Sequence, residues 1–249
     1  MEYNAIISIK DLSVSYERKR VLTNIFLEIE GGHIYGVIGP NGAGKSTLFK
    51  AILGLIEVNT GSVLIKGHPI EEKRKDVVYV PQKDEVDWNF PATVMDVVLQ
   101  GRYPHKKIYQ RLSKHDHKIA EQAVHDLGIS PLKTRQIGEL SGGQQQRVFL
   151  ARALCQQADI ILLDEPFVGV DITTEDRIIK ILQNLALKGK TILVIHHDLS
   201  TVASYFDQVI LINQRLIAFG DTESTFTSEN INTAYRAQLP ILHKTGLIG

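Results

Sequence analysis

The sequence predicts an α/β fold in which a mixed β-sheet is wrapped by helices, with an N-terminal antiparallel β subdomain and a separate helical subdomain. Three observations predict this fold. Alternating apolar runs fill residues 5–27, short apolar strands alternate with helical stretches further along, and the middle of the chain shows helical periodicity without such strands. With 249 residues, the chain is long enough for one large domain of this class.

The first part of the chain favours antiparallel strands. The apolar runs AIISI, LSVSY and NIFLEI are separated by charged residues typical of turns. The sheet that follows is predicted to be largely parallel, because its strands are short, continuously apolar and separated by helices. These predicted strands are residues 34–38, 77–80, 160–163 and 192–195.

The middle of the chain predicts a helical subdomain inside a single domain of residues 1–249. Helical periodicity runs from about residue 86 to residue 138 and is broken at GRYP and GISP. We place this subdomain approximately at residues 83–158. The tail from Ser224 predicts one helix and a short end, so we expect no appended regulatory domain.

Composition excludes several classes of protein. Lys plus Arg and Asp plus Glu both total 28, so no basic excess supports nucleic acid as the main partner. The single cysteine, Cys155, lies in a helical stretch and is expected to be a small buried hydrophobe in a reducing compartment. No secretory signal pattern and no run of about 18 apolar residues occurs, so other chains would have to span any membrane that this protein serves.

A glycine-rich loop follows the strand at residues 34–38 and precedes a helical stretch. Such a loop turns successive backbone N–H groups inward, and the next helix adds the positive end of its dipole. Lys45 is predicted to reach the β- and γ-phosphates of a nucleotide, and the Ser46 hydroxyl to bind Mg²⁺. The loop consists of Gly39, Pro40, Asn41, Gly42, Ala43, Gly44, Lys45, Ser46 and Thr47.

Polar residues follow the other predicted parallel strands, where ligands bind in open α/β sheets. These residues are Gln82, Asp164, Glu165, His196 and His197. Asp164 suits Mg²⁺, Glu165 could polarise the attacking water, and a histidine could hydrogen-bond the γ-phosphate. Taken singly, Gln82 could be a loop residue and His197 a turn histidine, but their shared position favours a nucleotide site.

The segment LSGGQQQR at residues 140–147 predicts a helix start. Ser141 is the N-cap, and Gln144 three positions later completes a capping box. Taken alone, this pattern would be a structural cap. Two adjacent glycines at a helix N-terminus also expose backbone N–H groups to an anion.

In order and spacing, GPNGAGKST, Gln82, LSGGQQQR, IILLDEP and His197 resemble the nucleotide-binding subunits of ABC transporters over essentially the whole chain. The resemblance implies a P-loop NTPase core, the ABC ATPase cassette, with ATP and Mg²⁺ as cofactors. In that family two cassettes pair head to tail, and each ATP lies between the phosphate loop of one and the LSGGQ segment of the other. It therefore implies that Ser141, Gly142, Gly143 and Gln144 contact the ATP of a second copy.

The same resemblance assigns the remaining site residues. Tyr16 matches the aromatic residue that stacks on adenine, although it could also be a packed strand tyrosine. Asp171, in FVGVD, matches the dimer-contact loop, where the family more often has SALD. His197 rather than His196 matches the switch histidine, because it immediately precedes Asp198. The implied catalytic residues are Glu165, His197 and Lys45, and the implied Mg²⁺ ligands are Ser46, Gln82 and Asp164.

The substrate branch is also suggested by resemblance. The stretches YVPQKDEVDWNFPATVMDVVLQGRYPH, PFVGVD and VIHHDLSTVASYFDQVILIN are similar to importers of manganese, zinc or iron, with manganese preferred. This implies integral membrane permease subunits, indirectly an extracellular substrate-binding protein, and a peripheral location on the cytoplasmic face of the membrane. The alternatives are a soluble ABC ATPase that acts on nucleic acid or ribosomes, and a nucleotide-gated module without turnover.

Two further groups of residues attract attention in the middle of the chain. Four histidines lie among lysines that would repel a divalent ion, so a solvated face is expected and not a metal site. Apolar residues after Gln82 are expected to line a groove for a short permease helix, with packing in the subdomain core as the alternative. The histidines are His105, His115, His117 and His125, and the apolar residues include Trp88, Phe90 and Pro91.

Overall fold

The computed structural model describes residues 5–17, 19–82, 88 and 90–235. Its strands are β1 (Ala5–Tyr16), β2 (Lys19–Glu30), β3 (Ile34–Ile38), β4 (Thr60–Ile65), β5 (Val77–Val80), β6 (Ile160–Asp164), β7 (Thr191–Ile195), β8 (Gln208–Ile212) and β9 (Leu216–Asp221). Its α-helices are α1 (Lys45–Ile52), α2 (Ile70–Lys73), α3 (Val94–Leu99), α4 (Lys114–Asp126), α5 (Gly142–Gln156), α6 (Ile172–Leu187), α7 (Val202–Tyr205), α8 (Thr222–Thr225) and α9 (Ser228–Tyr235).

The chain divides into two compact units. The first comprises the described residues before residue 74 and after residue 192, and the second comprises those of residues 74–192. None of the helices described here is both long enough and apolar enough to cross a lipid bilayer.

An antiparallel sheet in the order β2-β1-β4 belongs to the first unit. In its register Ile9 lies opposite Leu27 of β2, and Ile7 lies opposite Ile65 of β4. All four of these side chains are buried, since alternate residues of a strand point to the same face of the sheet. The predicted antiparallel subdomain is therefore present.

The detail of β1 differs from the prediction. The runs AIISI and LSVSY form one strand and not two, because a bulge between Ile9 and Leu12 shifts the register without ending the pairing. Asp11 takes a left-handed conformation there, with a φ of 50°, which aspartate tolerates better than most residues. The charged residues at this point therefore mark a bulge rather than a turn.

A second group of strands in the first unit consists of β3, β8 and β9. All five residues of β3 are buried, β3 is parallel to β8, and β9 returns antiparallel to β8. The strand prediction omits β4, β8 and β9. The first three residues of β4 are exposed, so it is not a continuously apolar run. β8 follows a helix of only four residues, and β9 follows β8 without an intervening helix, so the alternation of strands with longer helical stretches does not mark them.

In the second unit β5 is parallel to β6, with Val77 opposite Ile160. Helices α3, α4 and α5 occupy the stretch predicted to be helical. Cys155 is fully buried on α5, as predicted, and burial raises the pKa of its thiol to about 11. The boundary of a helical subdomain at residues 83–158 stays a prediction, because residues 83–87 and 89 lie outside the described part. So do residues 236–249, whereas α9 is the helix predicted for the tail.

Candidate functional site

The phosphate loop joins β3 to α1 in the first unit, as the sequence predicts. Gly44 is the N-cap of α1 in a left-handed conformation with a φ of 95°, and no side chain caps the helix. A Cβ on Gly44 would lie 2.5 Å from a Leu22 methyl carbon, and one on Gly39 would lie 2.0 Å from the Ile212 carbonyl oxygen. Only glycine fits at these two positions, so the loop conformation requires these two glycines.

Lys45 is buried and is held by the loop itself. Its Nζ donates hydrogen bonds to the carbonyl oxygens of Gly39, at 2.8 Å, and Pro40, at 3.0 Å. Ser46 is half-buried in the first turn of α1, whereas Asn41 and Gly42 are exposed at the tip of the loop. A fixed ammonium group beside a helix N-terminus favours the binding of a polyphosphate.

Three residues that sequence reasoning missed support this loop from behind; we call Asn213, Gln214 and Tyr235 the brace. The Gln214 N–H donates to the Ala43 carbonyl at 2.8 Å, and the Asn213 side chain donates to the Ala234 carbonyl at 2.8 Å. The Tyr235 hydroxyl hydrogen-bonds to the backbone of Gly39, and burial raises its pKa to about 12. No local motif marks the brace, because its contacts join residues far apart in the sequence.

The two histidines after β7 have different environments. His196 is buried, its Nε2 lies 2.7 Å from the Thr201 Oγ1, and its ring packs against Tyr205 and Phe206. Burial lowers the pKa of His196, so it stays neutral at neutral pH. His197 is exposed. This difference favours the choice of His197 as the residue that meets a ligand.

Tyr16 is the last residue of β1 and lies opposite Lys19 of β2. Tyr16 is 46% exposed. The exposure agrees better with a stacking role than with that of a packed strand tyrosine.

The second unit carries the other predicted residues. Asp164 is the last residue of β6 rather than a residue after it, and it is buried. The Tyr79 hydroxyl on β5 donates to its Oδ2 at 3.3 Å. Glu165 is half-buried and takes a left-handed conformation with a φ of 52°, which is uncommon for a residue other than glycine. Gln82 is half-buried two residues after β5.

The LSGGQQQR segment forms the predicted helix start. Ser141 caps α5, its N–H donates to the Gln144 Oε1 at 3.0 Å, and the Gln144 N–H donates to the Ser141 Oγ at 3.4 Å. A Cβ on Gly143 would lie 3.0 Å from the Gly169 carbonyl oxygen, so this glycine packs against the loop that leads to Asp171.

Asp171 has a structural role that the sequence reasoning did not assign. It is the N-cap of α6, and its Oδ1 accepts a hydrogen bond from the Thr174 N–H at 3.0 Å. Hydrogen bonding to Thr174 lowers the pKa of this carboxyl group, so it is ionised at neutral pH.

The residues noted in the middle of the chain also have defined environments. Trp88 packs against Phe149 with ring centroids 5.0 Å apart, whereas Phe90 and Pro91 are exposed. The contact of Trp88 with Phe149 favours the core-packing alternative for Trp88. Phe90 and Pro91 remain accessible to a partner. In the described ranges, no group of three or more His, Cys, Asp or Glu side chains is placed to hold a metal ion.

Comparison with known proteins gives one consistent family. A profile of the family described as ABC transporter matches residues 22–168. The chain is 46% identical, over 97% of its length and 96% of the relative's, to the manganese transport system ATP-binding protein MntB of Halalkalibacterium halodurans. It is 49% identical, over 94% of its length and 88% of the relative's, to the zinc transport system ATP-binding protein TroB of Treponema pallidum.

Solved structures agree with this result. The chain is similar to a metal-chelate type ABC transporter in an inward-facing conformation, with a TM-score of 0.81, 29% identity, and coverage of 94% of this chain and 89% of that one. It is also similar to the ADP conformation of an ATP-binding cassette of an ABC transporter, with a TM-score of 0.78 and 26% identity. That match covers 93% of this chain and 98% of the other.

Proposed function

This chain belongs to the ABC transporter family as an ATP-binding, ATP-hydrolysing subunit, and from that premise we propose that it powers the import of manganese ions. Zinc and iron are the related alternatives. The observation that carries the proposal is end-to-end similarity at 46% to 49% identity to subunits named for manganese and zinc transport. The permease selects the ion, so manganese and zinc must be separated by experiment.

The first unit is proposed to hold the triphosphate and the adenine ring of ATP. Lys45 neutralises the β- and γ-phosphates, and backbone N–H groups at the tip of the loop and in the first turn of α1 donate to the phosphate oxygens. Tyr16, which is partly exposed, stacks on adenine. His197 donates a hydrogen bond to the γ-phosphate as negative charge shifts during the reaction.

The second unit is proposed to supply the general base. The water oxygen bonds to the γ-phosphorus, the bond from that phosphorus to the β,γ-bridging oxygen breaks, and Glu165 takes the proton that the water releases. The side chains of Ser46, Gln82 and Asp164 each carry an oxygen atom that can bind a metal, and oxygen is the ligand atom that Mg²⁺ prefers. When bound, Mg²⁺ neutralises charge on the phosphate oxygens.

The working unit is proposed to be a head-to-tail pair of chains. Ser141, Gly142, Gly143 and Gln144 present the N-terminus of α5 to the nucleotide held by a second copy. Because Gly143 packs against the loop before Asp171, the LSGGQ segment and the proposed dimer-contact loop are positioned by one contact. Closing of the pair on ATP and reopening after hydrolysis would drive the transport cycle.

The proposed location is the cytoplasmic face of a membrane, beneath integral permease subunits. The exposed Phe90 and Pro91 are the proposed contact for a short permease helix. An extracellular substrate-binding protein would act through the permease and not on this chain.

The test is the metal content of cells that carry Glu165→Gln in place of the wild-type chain, grown at limiting metal. We expect a selective loss of manganese, measured by mass spectrometry alongside zinc and iron. The matched control is Glu139→Gln, which removes an exposed carboxylate and should leave all three metals unchanged.

A selective loss of zinc or iron would move the proposal to that ion. If the content of all three metals is unchanged in the cells, while the purified wild-type chain releases phosphate from ATP, metal import is refuted and the ATPase activity stands. Altered translation or DNA repair without any metal change would favour the soluble alternative.

A further inference from the structure

The segment at residues 103–118, here called the basic loop, has an unusual surface for a chain with balanced charges. It contains five Lys or Arg residues and one acidic residue, whereas the whole chain has 28 of each sign. The acid, Asp116, is buried. The described surface of the basic loop therefore exposes cations without an exposed carboxylate, and these cations are Lys107, Arg111, Lys114 and Lys118.

The base of the loop is fixed. The Arg102 Nε donates to the Asp116 Oδ1 at 3.1 Å, and the Lys106 Nζ lies 2.5 Å from the other oxygen. Arg102 also donates to the Cys155 carbonyl at 2.8 Å, near the C-terminal end of α5. Because Asp116 is neutralised by these contacts, the exposed cations are not balanced within the loop.

Two apolar side chains are displayed at the tip. Ile108 is 85% exposed and Tyr109 is 99% exposed. A turn presents them, in which the Gln110 N–H donates to the Lys107 carbonyl at 2.9 Å. Tyr109 has a φ of 71°, a left-handed conformation that is strained for an aromatic residue. Because Tyr109 is almost fully exposed, packing within the unit does not offset this backbone strain. The strain and the exposure together indicate a contact outside the unit.

We propose that the basic loop is a membrane-surface contact, in which Ile108 and Tyr109 enter the interface and the flanking cations bind anionic lipid headgroups. This inference deepens the proposed function, because it rests on the location beneath a membrane permease. Basic residues near a cytoplasmic leaflet are attracted by its anionic lipids, and tyrosine favours the headgroup region.

A lipid surface fits the loop better than a folded protein does. A specific protein interface buries about 800 Å² on each partner and needs shape complementarity, which two adjacent side chains at a turn cannot supply alone. A bilayer accepts a short apolar tip without complementary shape, and cations strengthen the contact.

The test is flotation of the full chain with phosphatidylcholine vesicles, with and without phosphatidylglycerol. The chain should float only with the anionic vesicles, and added salt should weaken binding because it screens exposed charges. Replacing Lys107 and Arg111 together by Gln should lower partitioning roughly 25-fold, at about one fivefold step for each cation. The double substitution Ile108→Ser with Tyr109→Ser should also weaken binding.

Two kinds of variant separate a membrane role from a structural one. Tyr109→Gly relieves the backbone strain, so its melting temperature should be equal or higher while vesicle binding falls. Leu187→Ser and Lys188→Gln remove an exposed apolar residue and an exposed cation elsewhere in the same unit, and should bind like wild type.

Equal binding by the loop variants and wild type would overturn the proposal. So would capture of the loop by polyglutamate in the absence of any binding to anionic vesicles, which would indicate an acidic protein partner. ATP hydrolysis is measured on each sample, so a chain that turns over ATP but ignores vesicles refutes this inference and not the ATPase.

Discussion

At the scale of single residues, the lysine and the glutamate of the proposed site are held in contrasting ways. Lys45 is buried, and its Nζ is bound by two loop carbonyls within 3.0 Å. Glu165 is half-buried and sits in a left-handed backbone conformation, which costs on the order of 1–3 kcal/mol for a residue other than glycine. Such strain persists where the surrounding structure holds a side chain in one direction. A general base needs a fixed direction, because it must point at the attacking water.

Glu165→Gln should therefore keep ATP binding and lose turnover. The amide has nearly the same shape but cannot take a proton from water, so we expect phosphate release to fall on the order of 10²- to 10⁴-fold. Binding of a fluorescent ATP analogue and phosphate release measured on the same preparation would check this. Glu139→Gln is the control, and rapid turnover by Glu165→Gln would remove Glu165 from the catalytic role.

The histidine pair shows what residue patterns can and cannot predict. Both His196 and His197 follow a buried strand, so position alone leaves two candidates. The structure buries His196 between aromatic rings and exposes His197, a difference that depends on α7 and on residues that follow it. Asp171 shows the converse: a residue singled out by resemblance also caps a helix.

At the scale of elements, α9 and the β8–β9 turn support the phosphate loop through the brace. Tyr235→Phe removes the hydroxyl that bonds to the Gly39 backbone and keeps the ring. Loss of one such hydrogen bond, worth about 1 kcal/mol, should raise the KM for ATP roughly fivefold with a smaller change in kcat. Steady-state kinetics would measure this split.

The control for that prediction is Tyr109→Phe, which removes a fully exposed hydroxyl. A Tyr235→Phe variant with a lower melting temperature but an unchanged KM would mean that the brace stabilises the fold without positioning the loop.

The ion cluster formed by Arg102, Lys106 and Asp116 makes a prediction about pH. Hydrogen bonds from Lys106, Ser113 and Arg102 hold the pKa of Asp116 well below its ordinary value near 4. A carboxyl group with a lowered folded-state pKa adds stability above its unfolded pKa, and this stability is lost as the pH falls below about 4.

Asp116→Asn should therefore lower the free energy of unfolding by about 3–5 kcal/mol at neutral pH, because Arg102 and Lys106 stay buried without their carboxylate. The difference from wild type should shrink as the pH falls below about 4. Urea denaturation across a pH series would test this, with Glu121→Gln on the exposed face of α4 as the control. A constant difference at every pH would contradict the ionic explanation.

Elements were predictable where a local signal exists. Continuous apolar runs predicted β3, β5, β6 and β7 to within a residue, because a buried parallel strand needs apolar residues on both faces. The ion cluster was not predicted, because its partners lie 10 and 14 positions apart and the surrounding lysines and histidines are typical of a solvated face. The brace escaped prediction for the same reason.

At the scale of the whole molecule, the two units divide the proposed chemistry. The first carries the phosphate loop, Tyr16 and His197, and the second carries Gln82, Asp164, Glu165 and the LSGGQ segment. The LSGGQ segment lies at the N-terminus of α5, and the 15 residues of that helix extend about 22 Å toward the anchored base of the basic loop. One helix thus links the proposed nucleotide contact to the proposed membrane contact.

The head-to-tail pair can be tested by mixing two inactive variants. Lys45→Ala disables the phosphate loop, and Ser141→Arg obstructs the N-terminus of α5, so each variant alone should have no intact site. In a mixed pair, the phosphate loop of the Ser141→Arg chain meets the LSGGQ segment of the Lys45→Ala chain. One site is then intact, and phosphate release should reappear on mixing.

If each chain held a complete site, mixing would restore nothing. Each variant is also mixed with wild type, and a changed wild-type rate would show that the variants still pair. Pairing without recovered hydrolysis would therefore contradict the shared site.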